Sequence, residues 1–262
     1  PEKNLSNHYE GKVLGEIWGY RVDGLFASDE EAAEYTSKIN QDAVNERILT
    51  DKVDPYYRAG DLKFRDLDGD NVISKGDDTA YDAGDREIIG NETPRYMYSF
   101  RLGADWNGFD LGIFFQGVGK RDWYPNYLST GFWGPYSRAF TSFIPENFMD
   151  QCWSEENRDG YFPRFRGYQT FAGSQLGVNN DRYLQDASYI RLKNLTVGYT
   201  LPVLKKVFTK LRVYFTGENL WYWSPMLKHT KYIDPEAAGG NGNTGMAYNY
   251  SRNFSVGVDI TF

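Results

Sequence analysis

Asp66, Asp68 and Asp70 occupy every second position of Asp66-Leu-Asp-Gly-Asp-Asn-Val-Ile-Ser-Lys-Gly-Asp77, a spacing that gathers hard oxygen ligands for a divalent cation. In a twelve-residue calcium loop these are positions one, three and five. Val72, at seven, would offer its backbone carbonyl, and Asp77, at twelve, would complete the set. Ile73 at position eight is the expected apolar anchor, and Ser74 at nine could coordinate directly or hold a water. There are two departures. Asn71 stands where Gly is usual, which is tolerable because Asn visits the left-handed region, and Asp77 has a shorter arm than the usual bidentate Glu. No regulatory helix pair flanks the loop, so the expected role is a structural ion, calcium or else magnesium, that stiffens a loop. An acidic, Gly-containing solvated turn is the competing reading.

A second set of candidates is aromatic. Trp123, Tyr124, Trp133 and Tyr136 fall in a stretch rich in Gly and Pro, where exposed rings could stack on sugars or pack against a partner. The alternative is that they form the stretch's own small core, which a long connection needs if it is to be ordered. Trp221, Tyr222 and Trp223 read as residues of an interfacial aromatic girdle. Catalysis finds little support: the only histidines are His8 and His229, Cys152 has no nearby His, and no nucleophile, phosphate-loop or zinc motif occurs. The expectation is a protein without enzymatic activity.

The elements that must carry these groups are strands. In 254–262, Phe254, Val256, Val258, Ile260 and Phe262 share one face, while Ser255, Gly257, Asp259 and Thr261 share the other. The segments 95–106 and 109–116 alternate in the same way around Asn107-Gly108, a two-residue hairpin signal. Another strand is expected over 211–217, running on into Trp221–Trp223. Within 189–201 the apolar phase switches between Leu192 and Leu195, and a β-bulge near Lys193-Asn194 would restore a single face. A sixth strand, of uncertain polarity, is expected within 14–26. Ser28-Asp-Glu-Glu31 forms a capping box that predicts a short helix after it.

Composition narrows the class. Of 262 residues 17% are aromatic, and aromatic girdles recur in membrane barrels. Mean hydropathy is -0.63 and no run of eighteen apolar residues occurs, which excludes a transmembrane helix but not a barrel, where only alternate residues must be apolar. A net charge of -7 argues against a general nucleic-acid binder. With Cys152 alone, no intrachain disulfide forms. The chain opens at Pro1 without a signal peptide, so a processed chain or a fragment is expected.

Connections alternate in length: 27–93 long, 107–108 tight, 118–183 long, 202–209 short, 224–248 long. Barrels sort their loops in this way, short turns on the periplasmic side and long loops outside, whereas a soluble sandwich has no reason to. The expected fold is therefore all-β, an antiparallel transmembrane barrel segment of about six strands. Since the smallest single-chain barrels have eight, the segment must be part of something larger.

Several stretches resemble the SusC/RagA-type TonB-linked outer-membrane transporters. They include 15–26 followed by Ser28-Asp-Glu-Glu-Ala-Ala33, 60–70, Ile88-Ile-Gly-Asn-Glu-Thr-Pro-Arg-Tyr96, 108–117, 187–202, Leu211-Arg-Val-Tyr with Gly217-Glu-Asn-Leu220, and terminal Phe262. They follow family order over nearly the whole chain. The resemblance implies the C-terminal part of a 22-stranded barrel whose plug and TonB-binding segment lie outside these residues. It implies nutrient import, of an oligosaccharide or peptide, powered through TonB and capped by a SusD-like surface lipoprotein, with the three long stretches as extracellular loops. The implied location is the outer membrane, with several passes. Two other readings stay open: a non-transporting barrel serving adhesion or assembly, and a secreted calcium-stabilised carbohydrate-binding β-domain.

Overall fold

In the computed structural model, which describes residues 4–138, 140, 142, 144–202, 209–238 and 248–262, the chain divides into two compact units. The first takes Pro1–Thr93, Asp122–Gln185 and Ala238–Ala247; the second takes Pro94–Arg121, Asp186–Ala237 and Tyr248–Phe262.

The first unit is built of short pieces. Strand β1 (Glu16–Tyr20) and strand β2 (Val22–Leu25) come from the stretch where one barrel strand was expected. They leave in different directions: β2 pairs with β3 (Leu62–Phe64), and β1 pairs with β4 (Arg86–Asn91), both antiparallel. The sixth strand thus lies outside the large sheet, which corrects the strand count to five. The physical reason is that the alternation is short: it is interrupted at Arg21, between the two strands, and the register slips again between Val22 and Gly24, where Gly24 takes φ 140. Arg21 instead pairs with Glu87 and, at 3.1 Å, with Asp181. Helix α1 (Asp29–Thr36) starts where its capping box predicts: the Ser28 hydroxyl accepts from the Glu31 amide at 3.1 Å. Glu31 reaches back past the cap and accepts from the Ala27 amide at 2.7 Å. Phe26, Ala32, Ile48, Leu62, Phe64 and Ile73 are fully buried in this unit. Asp61, buried with them, is held in a fork by Arg166, at 3.0 and 2.9 Å, and accepts from the Arg58 amide and Gln175.

The second unit is a five-stranded antiparallel sheet. Its strands are β5 (Met97–Trp106), β6 (Phe109–Val118), β7 (Tyr189–Leu201), β8 (Lys210–Trp223) and β9 (Asn253–Thr261), in spatial order β9-β8-β7-β6-β5. Nine to fourteen residues per strand is the length a tilted strand needs to cross a bilayer's hydrocarbon core, about 9–11. The β5–β6 turn is the expected two-residue hairpin, with Asn107 at φ 47 and Gly108 at φ 86, both left-handed as the tight turn demands. The expected bulge is present. The register of β7 shifts between Leu192 and Asn194 against both neighbours, so Ile190 and Leu192 join Leu195, Val197 and Tyr199 on one face. The short connections, 107–108 and 202–209, leave one end of this sheet, and the strand ends at the other lead into the long stretches. Residues 203–208, and 239–247 of the expected loop 224–248, lie outside the described residues.

Candidate functional site

Register gives the sheet two faces. On one, Phe100, Phe115 and Leu192 form a row; then Leu102, Ile113 and Leu195; then Ala104, Leu111, Val197, Phe215 and Val256; then Trp106, Phe109, Tyr199, Val213 and Val258. Phe100 stacks on Phe115 at 4.8 Å, and Phe109 meets Tyr199 at a tilt with centroids 4.5 Å apart. This apolar face is open: Val256 is 77% exposed and Phe100 42%, and no second sheet among the described residues covers it. Aromatic residues sit at both of its ends, Trp221 and Trp223 at one and Trp106 and Phe262 at the other, all exposed.

The opposite face carries Ser99, Arg101, Asp105, Asp110, Gln116, Thr196, Arg212, Thr216, Ser255 and Asp259. Arg212 grips Asp110 two strands away, at 2.7 and 2.8 Å, and Asp259 at 3.0 Å. The grip passes over Gly198, where a Cβ would meet the Asp110 carboxylate at 2.3 Å. Toward the long-loop end of the same face, Arg191 is buried with Asp234, its ion-pair partner, and lies 3.0 Å from Glu236. Lys193, at the bulge, reaches Glu236 at 2.8 Å. Neither carboxylate was singled out from the sequence, because 43 residues separate them from their cations. The phase switch at Lys193 was the signal that a charge is re-aimed there.

In the first unit, the acidic loop brings Asp66 and Asp68 together with Asp85: one ligand oxygen from each lies within 4.8 Å of the others. Asp70 and Asp77 are outside that group. Asp70 accepts from the Val72 amide at 2.7 Å, and Asp77 is exposed with its amide directed to Asp82 at 3.2 Å. Val72 bridges to Asn40 in a pairing that uses the Asn71 carbonyl and the Ile73 amide. Asn71 takes φ 67 as position six requires, and Ile73 is fully buried. Asp85 is buried, yet both its oxygens accept backbone amides, from Leu67 and Ser74, each at 2.7 Å. Burial, joined by the charges of Asp68 and Asp66, holds its pKa above the ordinary carboxylate value despite those two bonds. Asp85 was missed because it falls outside the twelve-residue spacing.

The four aromatic candidates join one aromatic cluster, with Tyr124 against Trp133 at 6.2 Å, Trp123 against Phe132 and Tyr136 against Phe162. Trp123, Tyr124, Trp133 and Tyr136 are all buried, Trp133 completely. Trp133 packs on Phe132, Phe162 and Tyr183 with centroids 4.7–6.3 Å apart and donates its indole N–H to the Pro125 and Asn126 carbonyls, each at 3.0 Å. Tyr136 donates to the Pro163 carbonyl at 2.5 Å. As ligand- or partner-contact residues they are therefore corrected. A stretch with few regular elements needs a core, and these rings supply it.

No family model matches the chain. Among curated proteins, TonB-dependent receptor P3 of Formosa agariphila is 30% identical across 97% of this chain and 22% of its own length. TonB-dependent receptor P26 of the same organism is 28% identical across 78% of this chain and 20% of its own length. Among solved structures, a chain of the RagAB peptide transporter superposes with TM-score 0.57 at 22% identity, covering 94% of this chain and 23% of that one. A chain of the RagAB peptide importer in its closed-closed state gives 0.58 at 21% identity, covering 97% and 24%. This chain thus spans about a fifth of the length of the curated relatives it matches. The fold is similar to that of the RagAB chains over 94–97% of this chain, and by its identity to TonB-dependent receptor P3 the chain belongs to the TonB-dependent receptor family.

Proposed function

We propose that this chain is the C-terminal wall and extracellular loops of an outer-membrane importer that takes up a nutrient, an oligosaccharide or peptide, with energy supplied through TonB. The observation that carries the reading is the sheet with one open apolar face and one charged, hydrogen-bonded face, in a chain homologous to TonB-dependent receptors. The apolar face meets lipid and the polar face bounds an aqueous passage. The long stretches 27–93, 118–183 and 224–248 are the extracellular loops, which meet cargo and a SusD-like lipoprotein. RagAB, a neighbour in fold, is described as a peptide transporter. Fractionation and uptake test the proposal. The full-length receptor is expected in the outer membrane, and uptake of labelled oligosaccharide or peptide is expected to stop when TonB is deleted. TonB-independent uptake, or a receptor monodisperse in plain buffer, would refute it.

A structural divalent cation at the acidic loop belongs to the same proposal. Three carboxylates within 4.8 Å fit an oxygen shell about 4.6–5.2 Å across, the size calcium prefers. An all-oxygen donor set selects calcium or magnesium over softer metals. Asp66 and Asp68 would hold the ion with Asp85, and the ion would offset the burial and the carboxylate repulsion that together raise the Asp85 pKa. Calcium titration of the full-length receptor, read by protease resistance of 66–85, tests this. Unchanged resistance in Asp66→Asn with Asp68→Asn would defeat it.

A further inference from the structure

Residues 225–237 follow β8 as a 3-10 turn over Pro225–Lys228 and further turns, and they have little regular structure to hold them. Side chains of the sheet hold them instead. Arg191 of β7 pairs with Asp234, and both side chains are 1% exposed. The Arg191 guanidinium also lies 3.0 Å from Glu236 and between two rings, its carbon 4.6 Å from the Tyr222 centroid and 5.1 Å from that of Tyr250. Lys193 reaches both Glu236 oxygens at 2.8 Å and sits 4.5 Å from the Tyr250 centroid. Arg121 donates to the Pro235 carbonyl at 3.4 Å. Asp234 in turn accepts the amides of Glu236 and Tyr250, at 3.0 and 3.4 Å, so its carboxylate joins the end of the segment to the residues that lead into β9.

Strand alternation explains how two cations meet at one place. Arg191 and Lys193 stand two positions apart on β7, so their side chains leave on the same side with Leu192 opposite. Lys193 has no cross-strand partner at the register shift, and its side chain reaches the Glu236 that also faces Arg191. Two positive and two negative groups then close a neutral cluster. A buried cluster of this kind is favourable only while every partner is present, because removing one leaves an unpaired buried charge. Loss of any one partner is therefore expected to loosen the whole charged contact.

We propose that residues 225–237 form a strap locked onto the polar face of the sheet by Arg191 and Lys193, and that it leaves that face as a unit when the lock opens. Resting on the transport reading, in which the polar face bounds the passage, the locked strap narrows the route and its release widens it.

Hydrogen exchange on the full-length receptor tests the lock without any transport measurement. In Arg191→Met, amides of 225–237 are expected to exchange about 100-fold faster, while β7 and β8 keep their protection. Asp234→Asn is expected to do the same from the strap side, and the exchanged pair Arg191→Asp with Asp234→Arg to restore protection in part. Unchanged exchange in both single variants, or equal acceleration throughout the sheet, would overturn the lock. For the second half, Lys193→Cys with Glu236→Cys is joined by a short bis-maleimide; Cys152 is buried. Uptake is expected to fall at least tenfold relative to the unjoined double variant. Native uptake by the joined receptor would overturn the obstruction while leaving TonB-dependent import standing.

Discussion

Turning one side chain of the apolar face into a cation measures whether that face meets hydrocarbon. Leu102 and its cross-strand partner Ile113 stand four residues from Tyr98 and four from Trp106 along β5. At about 3.4 Å per residue, Tyr98 to Trp106 spans roughly 27 Å along the strand, or about 21 Å once a tilt near 40° is allowed for. That is close to the ~25 Å apolar band of an outer-membrane barrel, and it puts Ile113 near the midplane. Arg at the midplane costs about 2–4 kcal/mol, against 0–1 kcal/mol near an interface. Ile113→Arg in the full-length receptor is therefore expected to shift a reversible folding equilibrium in lipid vesicles by roughly 30- to 700-fold. Trp106→Arg, at the rim, is expected to cost under about 1 kcal/mol. Ser255→Arg, on the polar face of β9, is expected to change it by less than about 0.5 kcal/mol. Equal costs at Ile113 and Ser255 would refute the two-faced wall.

Three further outcomes follow from the geometry. Calcium at a hundred times its dissociation constant is expected to stabilise the first unit by about 2.7 kcal/mol, read as a thermal shift, and Asp66→Asn with Asp68→Asn to abolish the shift. Because the folded pKa of Asp85 is raised, its cost is absent below the unfolded carboxyl's pKa. That cost grows as pH climbs through the ordinary carboxylate range to the raised value, so without calcium stability falls over that interval; a rise there would contradict the assignment. Trp133→Ala is expected to cost about 3–5 kcal/mol in thermal unfolding, whereas Tyr127→Ala, at a half-exposed ring, is expected to cost far less; equal costs would contradict the internal aromatic core.

What was legible in the sequence was whatever is periodic or local. The five wall strands, the Asn107-Gly108 turn, the bulge near Lys193 and the Ser28 cap are each written within a dozen residues, where backbone sterics and alternation decide the outcome. The stretch 14–26 misled because three alternating residues, Trp18, Tyr20 and Val22, suggest a strand without naming its partner. Its two pieces pair with strands beginning at Leu62 and Arg86, a choice made by long-range packing. The same limit hid Asp85 behind the acidic spacing and hid the burial of Trp123, Tyr124, Trp133 and Tyr136. An aromatic side chain has the same identity on a surface as in a core, and only the fold of the surrounding stretch distinguishes them.

The polar face shows why a passage wall has to be read across strands. Arg212 on β8 reaches Asp110 on β6 only because β7 offers Gly198 between them, so a residue without a side chain sets the position of a charge pair. Five residues earlier, β7 shifts register at Lys193, whose unpaired position carries a second cation to Glu236. Both devices act on the face that alternation assigns to water, and neither disturbs the apolar row behind it. In Gly198→Leu the new side chain collides with Asp110, so the Arg212 grip should break while Val197 and Tyr199 keep their outward register. Such a variant should insert into vesicles normally yet unfold more easily, by about 1–3 kcal/mol. If it instead failed to insert at all, the two faces would not be separable, and the division of labour between lipid wall and passage would have to be abandoned.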